Sequence, residues 1–226
     1  MSNKPMIDKD NTASIDVDCQ KGFTPLCPDE LPVPDGHSIV GELNAQAELA
    51  CIRVCSKDWH SENALWVTTP EHPMLSRIDN KPNLDVYWNR HCIAGTRGAE
   101  LLDGLSEDTY DFVVYKGMEI DKHPYGACYH DLAEKKSTGL IEFLKFNKID
   151  HVIVGGLALD YCVITTAIQL SKHFLVTVNL KACRAIDPLW PQATKKFPHT
   201  IDFCYDAQRI KYSKWYQIFK MENEGN

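Results

Sequence analysis

Val152-Ile-Val-Gly-Gly-Leu-Ala-Leu-Asp-Tyr-Cys-Val-Ile-Thr-Thr166 decides how this chain is read. The β-branched run Val152 to Val154, bounded by Gly155 and Gly156, predicts a buried strand. Asp160 to Leu170 then takes up a helical period, with Val163, Ala167 and Leu170 on one face. A sharp turn joins the two, and Cys162 falls in the first turn of the helix. There unpaired backbone N–H groups point outward and the dipole favours an anion. The expectation is a stabilised thiolate, with a pKa below the value of about 8.5 for free cysteine. The same N–H groups can donate to an oxyanion once sulfur attacks a carbonyl. The bland alternative is a helix-start cysteine that only packs, because free cysteine is among the most buried residue types.

Outward from that stretch, strand and helix patterns alternate. Ala13 to Asp18 reads as a strand ending in a carboxylate, Ser38 to Leu49 as a helix capped by Asp35 or Ser38, and Cys51 to Cys55 as a second strand. Tyr110 to Tyr115 is a third strand that ends at Lys116-Gly117, Gly139 to Asn147 a helix, and Phe174 to Val178 a fifth strand. Such alternation calls for a parallel sheet with helices on both faces. Residues 66–84 are Pro-rich and aperiodic, and a loop of that length usually belongs to a site or is disordered. The segment 185–226 mixes aromatic and charged residues and stays unassigned, apart from a helix over Ser213 to Met221.

Three ionisable residues fall at strand or helix ends: Asp18, Lys116 and Cys162. In an α/β sheet that edge is where ligands bind, although each type alone more often serves as a cap, a solvated base or a packed thiol. Asp58 and His60 lie two apart and face the same way in extended backbone, so they can share a metal. A lone Asp-x-His pair is more often incidental.

The chain has 226 residues, 44% of apolar and 24% of charged type, which is ordinary for a globular protein. A net charge of −7 argues against nucleic acid as a partner. No apolar run reaches the length of a membrane span, and the polar start has no secretory h-region. Nine scattered cysteines, an odd number without a Cys-x-x-Cys pair, predict reduced thiols in a cytoplasm.

Set side by side, four blocks resemble the nicotinamidase branch of the isochorismatase-like cysteine hydrolases. They are Asp18-x-Gln20-x-x-Phe23; Asp58-Trp-His60; Trp88-x-x-His91-Cys92 with Gly95-Thr-x-Gly-Ala99; and Lys116-Gly117 followed by Gly156-Leu-Ala-Leu-Asp-Tyr-Cys162-Val. Each is weak alone, but four in order from about Ile15 to Val178 make chance agreement very small. The resemblance implies one Rossmann-like three-layer α/β domain over 1–226, built on a six-stranded, mostly parallel sheet, with an irregular insertion at about 66–84. It implies a triad of Asp18, Lys116 and Cys162, and oxyanion donors on the backbone of Ala158 and Cys162 with a cis peptide before Ala158. It also implies aromatic walls at Phe23 and Trp88 and one divalent metal on Asp58, His60 and His91, with zinc first and iron or manganese as alternatives.

The activity so implied is hydrolysis of nicotinamide to nicotinate and ammonia through a cysteine thioester, in NAD salvage, with pyrazinamide also cleaved. The partner is that small molecule; a homo-oligomer is left open. The alternative is a sister isochorismatase-like or carbamoyl amidase acting on another small substrate. One departure matters. Many members carry a second histidine four residues after the first, and this chain has Ala64 there, with Ser61 for the usual proline. The metal then keeps more waters or takes a ligand such as His72 from the irregular stretch. In this reading the metal site is separate from the acyl chemistry.

Overall fold

The computed structural model describes residues 8–187 and 201–210, so the expected helix over Ser213 to Met221 lies outside the described residues. Six strands form one sheet: β1 (Thr12–Val17), β2 (Ile52–Asp58), β3 (Phe112–Lys116), β4 (His151–Leu157), β5 (Leu175–Arg184) and β6 (Ile201–Cys204). The order is β3-β2-β1-β4-β5-β6 and every pairing is parallel. The helices are α1 (Val40–Ala47), α2 (Leu140–Phe146), α3 (Ile164–Leu170) and the short α4 (Ala207–Ile210).

The two faces of the sheet bury different chemistry. On one, Ala13, Ile15, Val17, Val152 and Val154 pack with α2 and α3 in a continuous apolar core. The alternate residues point the other way. There Ile153 meets Ile210 of α4, and Asp16 meets α1. Asp16 is fully buried and takes bonds from Arg53 Nη2 (2.7 Å), Tyr110 Oη (2.9 Å) and Gln46 Nε2 (3.2 Å). Helices therefore cover both faces, as the alternation predicts.

Several boundaries differ from expectation. β4 does not stop at its glycines but runs through them to Leu157, because Gly155 and Gly156 stay paired with Asp16 and Val17 of β1. The cysteine helix opens as a wide π-type turn over Leu159–Val163, where Val163 N donates to Ala158 O (3.1 Å), and becomes α-helical only from Ile164. The first helix begins as a 3₁₀ turn over Gly36–Ile39, and Asp35 adopts φ +55° without a side-chain cap. Residues 66–84 are an ordered excursion. The backbone returns on itself through Ile78 N to Asp85 O (2.8 Å) and Tyr87 N to Ser76 O (2.9 Å), and closes with Trp88 N to Trp66 O (2.9 Å).

Gly156 is the tightest point of the scaffold. Its φ is +135°, and a Cβ there would lie 2.0 Å from Val17 O in the neighbouring strand. Gly156→Ala is expected to destabilise the fold by about 3 kcal/mol or more, through both backbone strain and steric overlap. Gly41→Ala, at an exposed position of α1 with nothing within 4 Å of the added Cβ, should be neutral or stabilising by up to about 1 kcal/mol. Urea unfolding of both variants checks this; equal midpoints would refute it.

Candidate active site and metal centre

Parallel strands deliver their carboxyl ends to one edge, and the site is built there. β3 ends at Lys116, β2 at Asp58 and β1 just before Asp18, while β4 leads through Ala158 to Cys162. Since β3, β2, β1 and β4 are neighbours, the four side chains converge. The Asp58–Lys116 pair is also a register pair of β2 and β3.

Lys116 has no solvent exposure. Its Nζ lies 2.9 Å from Asp18 Oδ2, donates to Asp58 Oδ1 and to Pro124 O (3.3 Å), and sits 3.9 Å from Cys162 Sγ. Ser56 Oγ donates to Asp18 Oδ1 (2.7 Å), whereas Asp18 Oδ2 has the ion pair but no well-aligned hydrogen bond. That oxygen is the one able to accept a proton. Burial pushes the Asp18 carboxyl up to about 6, against the pull of Lys116 and with a further push from the Asp58 charge. Burial alone would raise Asp58 too, but Lys116 and then His60 hold it well below the usual carboxylate range.

The expectation of a lowered Cys162 pKa is overturned. The thiol is 6% exposed, and burial, followed by the charges of Asp18 and Asp58, pushes it well above its ordinary value despite Lys116. A helix-start position stabilises a thiolate only where the dipole outweighs desolvation and nearby anions. Burial and the two carboxylates thus oppose Lys116 at the sulfur.

Asp58 turns its second oxygen to the histidines. Oδ2 lies 3.4 Å from His60 Nε2 and 3.9 Å from His91 Nε2. His60 Nδ1 pairs with Gly117 O (3.0 Å) and His91 Nδ1 with Asn89 O (2.6 Å), so both rings turn Nε2 to the same space. Both Nε2 atoms are buried without a hydrogen-bond partner. Two donors bound about 2.1 Å from one ion lie at most about 4.2 Å apart, so the spacing suits a shared cation. The charge count agrees: one ammonium faces two buried carboxylates, leaving a negative charge that a divalent ion would offset. Gly117 has φ +68°, and a Cβ there would come within 2.3 Å of the His60 ring.

Between sulfur and imidazoles lies a cavity lined by Phe23, Trp88, His91, Tyr125, Tyr161 and Cys162. Trp88 is held on edge by Tyr161, with ring centroids 4.8 Å apart at 89°. Its Nε1 donates to Tyr125 Oη (3.1 Å), which donates in turn to Asp85 (2.8 Å). The Leu157–Ala158 peptide is cis, as the resemblance implies. Asp160 accepts from the backbone N–H of Ile186 (3.0 Å) and Asp187 (2.8 Å), bringing Ile186 to the cavity wall.

The family pattern described as "Isochorismatase domain" matches residues 12–196. The chain belongs to the isochorismatase domain family. It is 34% identical to a nicotinamidase of Acinetobacter baylyi over 180 residues, 78% of this chain and 83% of that relative. Its structure superposes on a nicotinamidase and pyrazinamidase of Acinetobacter baumanii with a TM-score of 0.80 at 30% identity, covering 89% of this chain and 98% of the other. A pyrazinamidase of Pyrococcus horikoshii solved with zinc superposes with a TM-score of 0.67 at 28% identity, covering 86% and 98%.

Within this isochorismatase domain, tertiary structure gathers Asp18, Lys116 and Cys162 at one end of the cavity and Asp58, His60 and His91 at the other. Two expectations need correction. His72 lies away from the cluster, stacked on Tyr87 at 4.6 Å and 3°, because its part of the excursion turns outward. The two centres are also not separate, since Asp58 touches both Lys116 and the imidazoles. Sequence reasoning missed Ser56, His123, Tyr125 and Tyr161. Only Ser56 left a signal, two residues before Asp58 on the same strand face. His123 and Tyr125 sit in an irregular segment without a period, and Tyr161, though in the cysteine helix, lies off the face that its period marks as buried.

Replacing Lys116 leaves two buried carboxylates uncompensated. In chelator-treated protein Lys116→Met should lose about 3–5 kcal/mol of unfolding free energy at pH 7. Without the ammonium both carboxyls titrate higher, so the folded variant takes up protons on acidification and the gap to the parent narrows by pH 5. Urea melts at the two pH values test this; an unchanged gap would exclude charge as the cause.

Proposed function

We propose that this chain is a nicotinamidase, releasing ammonia from nicotinamide and, with wider tolerance, from pyrazinamide. One observation carries the reading: a thiol–carboxylate–ammonium cluster and a carboxylate–imidazole cluster face each other across one aromatic-walled cavity. The first suits attack on an acyl carbon, and the second suits a ring nitrogen. The relatives named nicotinamidase and pyrazinamidase support it. The nicotinate formed would place the protein in NAD salvage, and free thiols throughout suit a reducing cytoplasm. No helix among the described residues is long and apolar enough to cross a membrane.

In the proposed mechanism Cys162 Sγ bonds to the carboxamide carbon as its proton passes to Asp18. Lys116, 3.9 Å from sulfur, stabilises the developing thiolate and holds Asp18 in place. Backbone N–H groups of Ala158 and Cys162 take the oxyanion, each contributing about a hundredfold or more in rate. Asp18 returns the proton to nitrogen, the C–N bond breaks and ammonia departs. Water then adds to the thioester, giving its proton to Asp18; the C–S bond breaks and the proton returns to sulfur. Phe23 and Trp88 flank the flat ring. Asp58, His60 and His91 would hold a divalent ion, for which zinc fits the donor set and iron or manganese are alternatives; when bound it would supply an orienting Lewis-acid contact for the pyridine nitrogen.

Cys162→Ala should abolish ammonia release without unfolding the protein. Asp18→Asn should cost nearly as much, and the double variant no more than either, because the residues act as a unit. Multiplying losses in a steady-state assay would refute the triad.

The substrate assignment predicts an order. Nicotinamide and pyrazinamide, which both carry a nitrogen at the same ring position, should turn over. Benzamide lacks it and should fall at least about tenfold in kcat/KM, about 1.4 kcal/mol. Benzamide cleaved as well as nicotinamide would remove the metal from recognition; inert amides throughout would move the protein to a sister amidase activity.

A further inference from the structure

His123 is a buried imidazole that the chemistry above does not use. It is 4% exposed, and neither ring nitrogen has a hydrogen-bond partner. A neutral imidazole carries one donor and one acceptor, and buried side chains with every polar atom unmatched are uncommon in native proteins and call for an explanation. One is at hand. A nitrogen of His123 and one each from His60 and His91 all lie within 4.8 Å of one another.

The ring is placed by its backbone. His123 N donates to Asn83 O (3.1 Å), in the irregular excursion, and Pro124 O accepts from Lys116 Nζ (3.3 Å). The side chain stacks on His60 at 5.3 Å and 21° and meets His91 edge-on at 5.7 Å and 82°. Trp66, fully buried at the base of the excursion, packs against all three rings at 4.4–5.1 Å. The excursion thus supplies both the carbonyl that sets the His123 loop and the indole that backs the imidazoles.

We infer that His123 is a ligand of the divalent ion assigned to Asp58, His60 and His91, making a donor set of three imidazole nitrogens and one carboxylate oxygen. The inference rests on the metal reading of that site. It gives partners to a ring that otherwise has none, and it favours a borderline ion such as zinc or iron(II) over hard cations. It also joins the metal to the aromatic wall, because His123 lies parallel to Trp88 at 6.0 Å and 22°.

Cobalt(II) titration of metal-free full-length protein tests it, read by visible absorption and independently of turnover. The parent should take up one ion per chain and His91→Ala should lose most of that binding. His123→Phe keeps a flat ring against Trp66 and Trp88 but offers no donor; it should bind cobalt at least tenfold more weakly, with an altered d–d spectrum. If His123→Phe matches the parent in affinity and spectrum while His91→Ala does not, His123 is no ligand and the metal reading stands. If the parent itself takes up no cobalt or zinc, the metal reading fails and this inference with it.

Discussion

A lysine ammonium withdrawn wholly from water lies between two carboxylates that are also withdrawn from it, Asp18 and Asp58. Desolvating an ion costs several kcal/mol, and Coulomb attraction offsets that only when geometry is good and the remaining polar atoms are matched. Here much of the matching comes from fixed parts of the scaffold: Ser56 on Asp18, the Pro124 carbonyl on Lys116, and Gln20, which clasps the Asp58 backbone through Nε2 to O (2.7 Å) and N to Oε1 (2.8 Å). Take the ammonium away and both carboxylates lose the charge that most favours their ionised form. The cluster constrains strand order, register and the path of the loop after β3 together.

Lys116 favours a thiolate at Cys162, but the rest of its surroundings oppose one. A thiolate beside two carboxylates would be a third anion in a dry site, and burial already disfavours it. A carboxyl near 6 is ionised at neutral pH yet basic enough to take a proton when sulfur attacks. In the proposed mechanism Lys116 would trade part of its interaction with Asp18 for one with sulfur, which already lies 3.9 Å from Nζ. Preorganisation of this sort is what a buried charge cluster can offer and a solvated one cannot.

Asp58 links this chemistry to the imidazoles, with one oxygen on Lys116 and the other toward His60 and His91. Charge at the metal end therefore acts on the proton-transfer end: an ion on Oδ2 would draw off negative charge that now raises the Asp18 pKa. In the proposed mechanism, recognition of a ring at one end and attack on its acyl group at the other would be coupled through this one carboxylate. The ordered excursion between Trp66 and Trp88 completes this wall, because its base closes through a backbone bond between two buried tryptophans whose rings both meet His123.

Much of this was legible in the chain alone. Period-2 and period-3.6 patterns around Val152–Leu170, Ala13–Asp18 and Tyr110–Lys116 carried the parallel α/β architecture, since hydrophobic alternation is a local consequence of which faces are buried. The blocks around Asp18, Asp58, His91, Lys116 and Cys162 pointed to a candidate site through the family resemblance; Asp18, Asp58 and Lys116 meet because parallel strands send their carboxyl ends to one edge. Helix starts and strand ends drifted by a few residues where a π-type turn, a 3₁₀ turn and the Gly155–Gly156 pairing overrode local preference. Three things only tertiary structure decided. The Cys162 pKa depended on burial and on anions from two other strands, which no local rule sums. His123 and Trp66 joined the imidazoles from segments without periodicity. And Asp58 became common to both clusters because β2 lies between β3 and β1, a neighbour relation that sequence order does not contain. Local sequence sets which groups stand at strand ends; long-range packing sets which of them share a field.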